Sequence, residues 1–152
     1  MTMLDASRLS QRVRRVLAEA NEQAARRHHE YVGTEHILLA LARDDEGVAV
    51  AVLRNLGVDF TELCDQVDRV VKAGKGATAL MSRPYTTRSR HVFSLAAAAA
   101  DSLGHSYIGT EHFLLALLEE GRGIGAQLLM ASGVTLERAR SETLRLLGPP
   151  VS

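Results

Sequence analysis

Two clusters of histidine and glutamate hold most of the side chains that could do chemistry. His28, His29, Glu30, Glu35 and His36 crowd one stretch, and His105, Glu111 and His112 repeat the second half of it. Imidazoles beside carboxylates suggest a metal site or an acid/base pair. The spacing argues against both. His29 and His36 stand seven residues apart with Gly33-Thr34 between them. That is not the His-Glu-x-x-His helix that presents two imidazoles on one face. Glu35 and His36 are neighbours, and neighbouring side chains diverge on a helix. The histidines therefore read as structural groups that hydrogen-bond a turn, with no metal and no cofactor expected. Cys64 falls in a helical pattern with no base beside it and reads as a small core or boundary residue.

What remains is a motif that occurs twice, Gly33-Thr34-Glu35-His36 and Gly109-Thr110-Glu111-His112, each followed by an apolar run. Glycine suits the turn, and Thr34 and Thr110 are expected to cap the helix that follows. Glu35 and Glu111 would stand in its first turn, where the macrodipole favours negative charge. A carboxylate at a helix start can meet a guanidinium, and free N–H groups there can meet a phosphate.

The elements that position these residues form a repeat. "YVGTEHILLALARDDEGVAVAVL" from Tyr31 and "YIGTEHFLLALLEEGRGIGAQLL" from Tyr107 align without a gap at an offset of 76. Gly47 falls on Gly123, and Gly57-Val58 on Gly133-Val134. Upstream, Arg12 falls on Arg88, Val16 on Val92 and Ala20 on Ala96. Matching glycines imply matching turns. Ser10 and Thr86 read as N-caps of a long first helix, reaching about Arg27 and Leu103. A second helix follows Thr34 and Thr110. A third stops at Gly57 and Gly133, where a left-handed C-cap is expected. A fourth begins near Asp59 and Thr135, with Leu63 and Val67, or Ala139 and Thr143, at helical spacing. The reading is all-α: two pseudo-symmetric four-helix repeats, about residues 10–72 and 86–148, forming one eight-helix globule. The stretch 73–85, with two glycines, a serine and a proline, reads as the linker between them.

Composition bounds the function. The chain of 152 residues carries 18 basic and 18 acidic side chains, so a dedicated nucleic-acid binder is not expected. A single cysteine makes a reducing, cytoplasmic compartment the default. No leader-like apolar segment and no membrane-length apolar run is present. Gly74-Lys75-Gly76 is too short for a phosphate-binding loop, and no Gly-x-Ser-x-Gly elbow occurs. An enzyme is not expected.

The doubled "HxYxGTEHxLLAL", followed by a glycine-containing acidic loop and a helix ending before Gly-Val, resembles the Clp N-terminal (Clp repeat) domain, most closely of the ClpC type. The resemblance covers about residues 8–148. It implies a fold of two pseudo-symmetric four-helix repeats without catalysis. It also implies a substrate- and adaptor-binding role in Clp protein degradation, with proteins, peptides, a Clp ATPase or protease, or adaptor proteins as partners. In ClpC-type domains of some bacteria the motif's glutamate helps bind phosphorylated arginine. The resemblance thus points to Glu35 and Glu111, with Thr34 and Thr110, as a phosphoarginine site. Leu9-Ser10 stands where the family usually has Phe-Thr, and Thr87 where it has a proline. Tyr85 and Arg90 occupy the aromatic and basic positions of a peptide- and antibiotic-binding surface in actinobacterial relatives. The chain stops where an ATPase module would start. It reads as a free-standing relative of the domain, or otherwise as the N-terminal piece of a longer unfoldase.

Overall fold

A computed structural model describes residues 5–76 and 82–150. The eight α-helices come in the expected order: α1 (Gln11–Arg26), α2 (Thr34–Ala42), α3 (Val48–Asn55), α4 (Phe60–Val70), α5 (Thr87–Ser102), α6 (Thr110–Glu120), α7 (Ile124–Ala131) and α8 (Leu136–Leu147). A short 3-10 turn at Ala6–Arg8, which the sequence did not suggest, precedes them. Part of the linker, residues 77–81, and the terminal residues 151–152 lie outside the described residues.

Local chemistry sets the helix limits. The hydroxyls of Ser10 and Thr86 accept the N–H of Val13 and of Ser89, both at 3.1 Å. Asp59 and Thr135 cap α4 and α8 in the same way. α3 and α7 end before Gly57 (φ +85) and Gly133 (φ +86), conformations that glycine adopts without steric penalty.

α2 and the first nine residues of α6 are buried on every side, so these two helices are the axis of the molecule. α1 packs on α2 and α5 on α6. The third helices cross over: α3 packs on α6 and α8, and α7 on α2 and α4. Two further threads tie the halves. Ser10 N–H donates to Ile108 O (3.0 Å) and Ile108 N–H to Arg8 O (2.8 Å). The matching pair is Thr86 N–H to Val32 O (3.0 Å) and Val32 N–H to Pro84 O (2.8 Å). One hydrophobic core runs through both repeats, from Val13 and Ile37 to Phe113 and Ala139. No described helix is long and apolar enough to cross a membrane.

Candidate functional site

The motif starts α2 and α6 by a different device from the one the sequence suggests. Gly33 and Gly109, not the threonines, are the N-caps, so Glu35 and Glu111 occupy the second helical position. The glycine N–H of each motif donates to Nδ1 of its own histidine, His36 or His112, at 2.8 Å. That acceptance leaves the proton on Nε2. His36 Nε2–H then donates to His29 Nδ1 (2.8 Å), and His29 Nε2–H to Lys72 O (2.8 Å). The second copy runs the same relay from His112 to His105 (2.9 Å). Burial, followed by repulsion from His29, Arg27 and Arg83, depresses the His36 pKa to about 3. Burial, then His105 and Arg8, takes His112 to about 4. Both rings are therefore neutral structural groups. His105, Glu111 and His112 bring ligand-type atoms within 4.8 Å of one another. The imidazole lone pairs there already accept the Gly109 N–H and the His112 Nε2–H.

The threonines, expected to cap their own helices, cap those of the other repeat. Thr34 Oγ1 accepts the N–H of Gly125 in the first turn of α7 (3.1 Å). Thr110 Oγ1 accepts the N–H of Ala49 in the first turn of α3 (3.1 Å). The physical reason is the crossed packing, which brings each third helix end-on to the opposite motif.

The glutamates are not surface residues. Glu35 is 5% exposed and Glu111 2%. Each carboxylate folds back over its N-cap glycine: a Cβ on Gly33 would lie 2.9 Å from Glu35 Cδ, and one on Gly109 3.1 Å from Glu111 Cδ. Burial raises the Glu35 pKa, opposed by a hydrogen bond from its own backbone N–H and then by His29. Among the described residues no other group bonds that carboxylate. Glu111 differs, since the Tyr107 hydroxyl donates to it at 2.9 Å. Burial and this bond hold the Tyr107 pKa up at about 12.

Glu35 opens into a cleft of about 400 Å³ between the two repeats, shared with Tyr31, Thr86, Thr87, Arg88 and Arg122. Arg88 pairs with Glu120 at 3.1 Å, and Glu120 also accepts the N–H groups of Arg122 and Gly123 ahead of α7. Arg88, Glu120 and Arg122 were not singled out from the sequence. Alignment of the two copies marks Arg122 as differing from Glu46, but only the crossed packing places it beside the first motif. Tyr85 packs edge-on against Phe93 (4.6 Å) and borders a different hollow, with Arg15, Glu19 and Glu22 from α1. Arg90 bonds Thr87 at 3.4 Å and does not line that hollow, so the structure does not bring the two together there.

The arrangement suits capture of a cation by a buried carboxylate, with arginines at the mouth of the cleft. A model of the Clp repeat (R) N-terminal domain matches residues 8–129 and 84–151. The chain is 43% identical over 141 residues to the chaperone protein ClpB of Oceanobacillus iheyensis. It is also 43% identical over 141 residues to the negative regulator of genetic competence ClpC/MecB of Bacillus subtilis. Similarity therefore does not choose between the ClpB and ClpC types. Each match covers 93% of this chain and 17% of the relative, so the chain spans about a sixth of their length. The N-domain of ClpV from Vibrio cholerae has the same fold, with a TM-score of 0.79 at 16% identity over 95% of this chain and 88% of that one.

Proposed function

The chain belongs to the Clp repeat (R) N-terminal domain family, and we propose that it is a non-catalytic protein-binding module of the Clp degradation system that recognises phosphoarginine-marked proteins through its helix-start glutamates. One observation supports this reading above the others. Glu35 is a carboxylate 5% exposed, facing a cleft, without a cationic partner among the described residues. A buried charge left unpaired costs stability. Nothing in the fold requires that cost at this position, since the Gly33–His36 cap already closes the helix start. A guanidinium entering the cleft would supply the missing partner and form a charge-assisted pair.

Marked proteins or their peptides are the ligands in this reading. A Clp ATPase, in the same polypeptide or as a partner, would carry out the unfolding. The cytoplasm is the compartment that suits such a role. The test is a calorimetric titration of phosphoarginine into the wild type and a Glu35→Ala/Glu111→Ala double variant. Saturable binding by the wild type that disappears in the variant is expected. Equal affinities, or no binding by either, would overturn the reading.

A further inference from the structure

The two motifs are equivalent in backbone but not in charge. Around Glu35 stand two arginines, Arg88 and Arg122, and one other acid, Glu120. Arg88 is bound to Glu120, while the exposed Arg122 guanidinium has no ion-pair or hydrogen-bond partner among the described residues. The positions matching Arg88, Glu120 and Arg122 at the second motif are Arg12, Asp44 and Glu46. Arg12 is bound to Asp44 at 2.7 Å and approaches Glu46 at 3.8 Å, so its charge is engaged on both sides. Arg15, which matches His91, borders one hollow with Glu19 and Glu22 and another with Glu19, Arg43 and Asp44. One reversal, Arg122 for Glu46, thus puts a free cation beside the first motif where the second has an acid already approached by Arg12. The interior differs as well. The Glu35 carboxylate awaits a partner, whereas Glu111 already holds the Tyr107 hydroxyl.

We propose that the two motifs have parted in specificity. The Glu35 cleft takes a ligand that joins a guanidinium to an anionic group, with Arg122 holding the anionic end, and the Glu111 position does not hold that ligand. This rests on the phosphoarginine reading above and narrows it from two sites to one. The chemistry is bipolar. The buried carboxylate faces the guanidinium, and the phosphoryl oxygens meet Arg122, whose fork matches their geometry. At the second motif those oxygens would face Glu46 and Asp44, and like charges in close apposition are strongly unfavourable.

Phosphoarginine is titrated into the wild type, Arg122→Glu and Glu46→Arg, with arginine and inorganic phosphate as separate probes. Both substituted residues are exposed, and circular dichroism checks that the variants fold. The wild type is expected to bind one equivalent, with amide shifts around Tyr31 and Thr87. Arg122→Glu is expected to weaken binding by at least about tenfold. Glu46→Arg is expected to bring a second equivalent, with shifts around Tyr107. Two equal sites in the wild type, or an Arg122→Glu variant of unchanged affinity, would overturn the asymmetry and leave the phosphoarginine reading standing. No binding of phosphoarginine by the wild type would overturn both. Wild-type binding of arginine as tight as that of phosphoarginine would show that Arg122 reads no anion, and would likewise overturn the proposal.

Discussion

In the proposed function, Glu35 sets ligand capture against stability. Its carboxylate is buried and its pKa lies above the ordinary value, so ionisation at neutral pH works against the folded state. Glu35→Gln keeps the shape, and its amide oxygen can still accept the backbone N–H. We expect this variant to melt at a higher temperature than the wild type at pH 7, by thermal denaturation, and to lose phosphoarginine binding. A lower melting temperature would show that the carboxylate holds the fold rather than awaiting a ligand.

The histidines give the opposite pH dependence. His36 and His112 have folded pKa values of about 3 and about 4 against an ordinary 6.5. The unfolded chain therefore takes up protons first as the pH falls, and stability follows. Their contribution is complete above pH 6.5 and is lost progressively as the pH drops toward 4 and 3. Glu35 acts in the reverse sense but is one group against two. Urea midpoints measured from pH 7.5 to 5 should be flat above 6.5 and fall below it. A flat profile across the whole range would contradict the neutral-ring relay.

At the scale of the helix, the crossed caps couple the repeats through single atoms. Thr34→Val keeps the side-chain shape and leaves the buried Gly125 N–H without its acceptor; Thr110→Val does the same to Ala49. Each is expected to cost about 0.5–2 kcal/mol, the range for loss of an N-cap, measured by urea denaturation. The double variant should cost close to the sum, because the two caps share no partner. These caps also mark how far the sequence could be read. Ser10, Thr86, Asp59 and Thr135 bond backbone three residues ahead, so their roles were legible from local pattern alone. Thr34 and Thr110 looked the same in sequence, yet their partners lie 91 and 61 residues away. Periodicity assigns a helix its apolar face but not the copy on which that face lands. Arg122 was missed for that reason, since its neighbour Glu35 belongs to the other repeat.

Pseudo-symmetry exposes one strained residue in the loop after α1. His28 has φ +59, where its counterpart Gly104 has φ +73. Left-handed backbone costs an L-residue roughly 1–2 kcal/mol, part of which glycine returns through its looser unfolded chain. His28→Gly should therefore stabilise the protein by about 0.5–1 kcal/mol in urea denaturation. The carbonyl at this position, which accepts the Gly76 N–H at 2.8 Å, is unaffected by the change. A loss of stability would mean that the His28 side chain contributes more than its backbone costs.

For the whole molecule, the crossing of α3 and α7 decides whether a repeat is a folding unit. The duplication in sequence gives two copies of one fold unit within a single globule, and every residue of α2 is buried, partly by α6 and α7 from the other half. A lone first repeat would lose the α6 and α7 contacts that help bury α2, and the Thr110 cap of α3. It would also lose the Val32–Tyr85 pairing. Small domains are marginal even with a complete core, and removing half of a shared core leaves neither part able to offset its chain entropy. Fragments 5–76 and 82–150 should therefore each be largely unstructured alone by far-ultraviolet circular dichroism. On mixing they should regain helix as a one-to-one complex, because the contacts between them are those of a core. The complex should also recover phosphoarginine binding, since Glu35 comes from one fragment and Arg122 from the other. A first fragment that folds alone and binds phosphoarginine with full affinity would show that the cleft needs only one repeat, against the placement of Arg122 at its mouth.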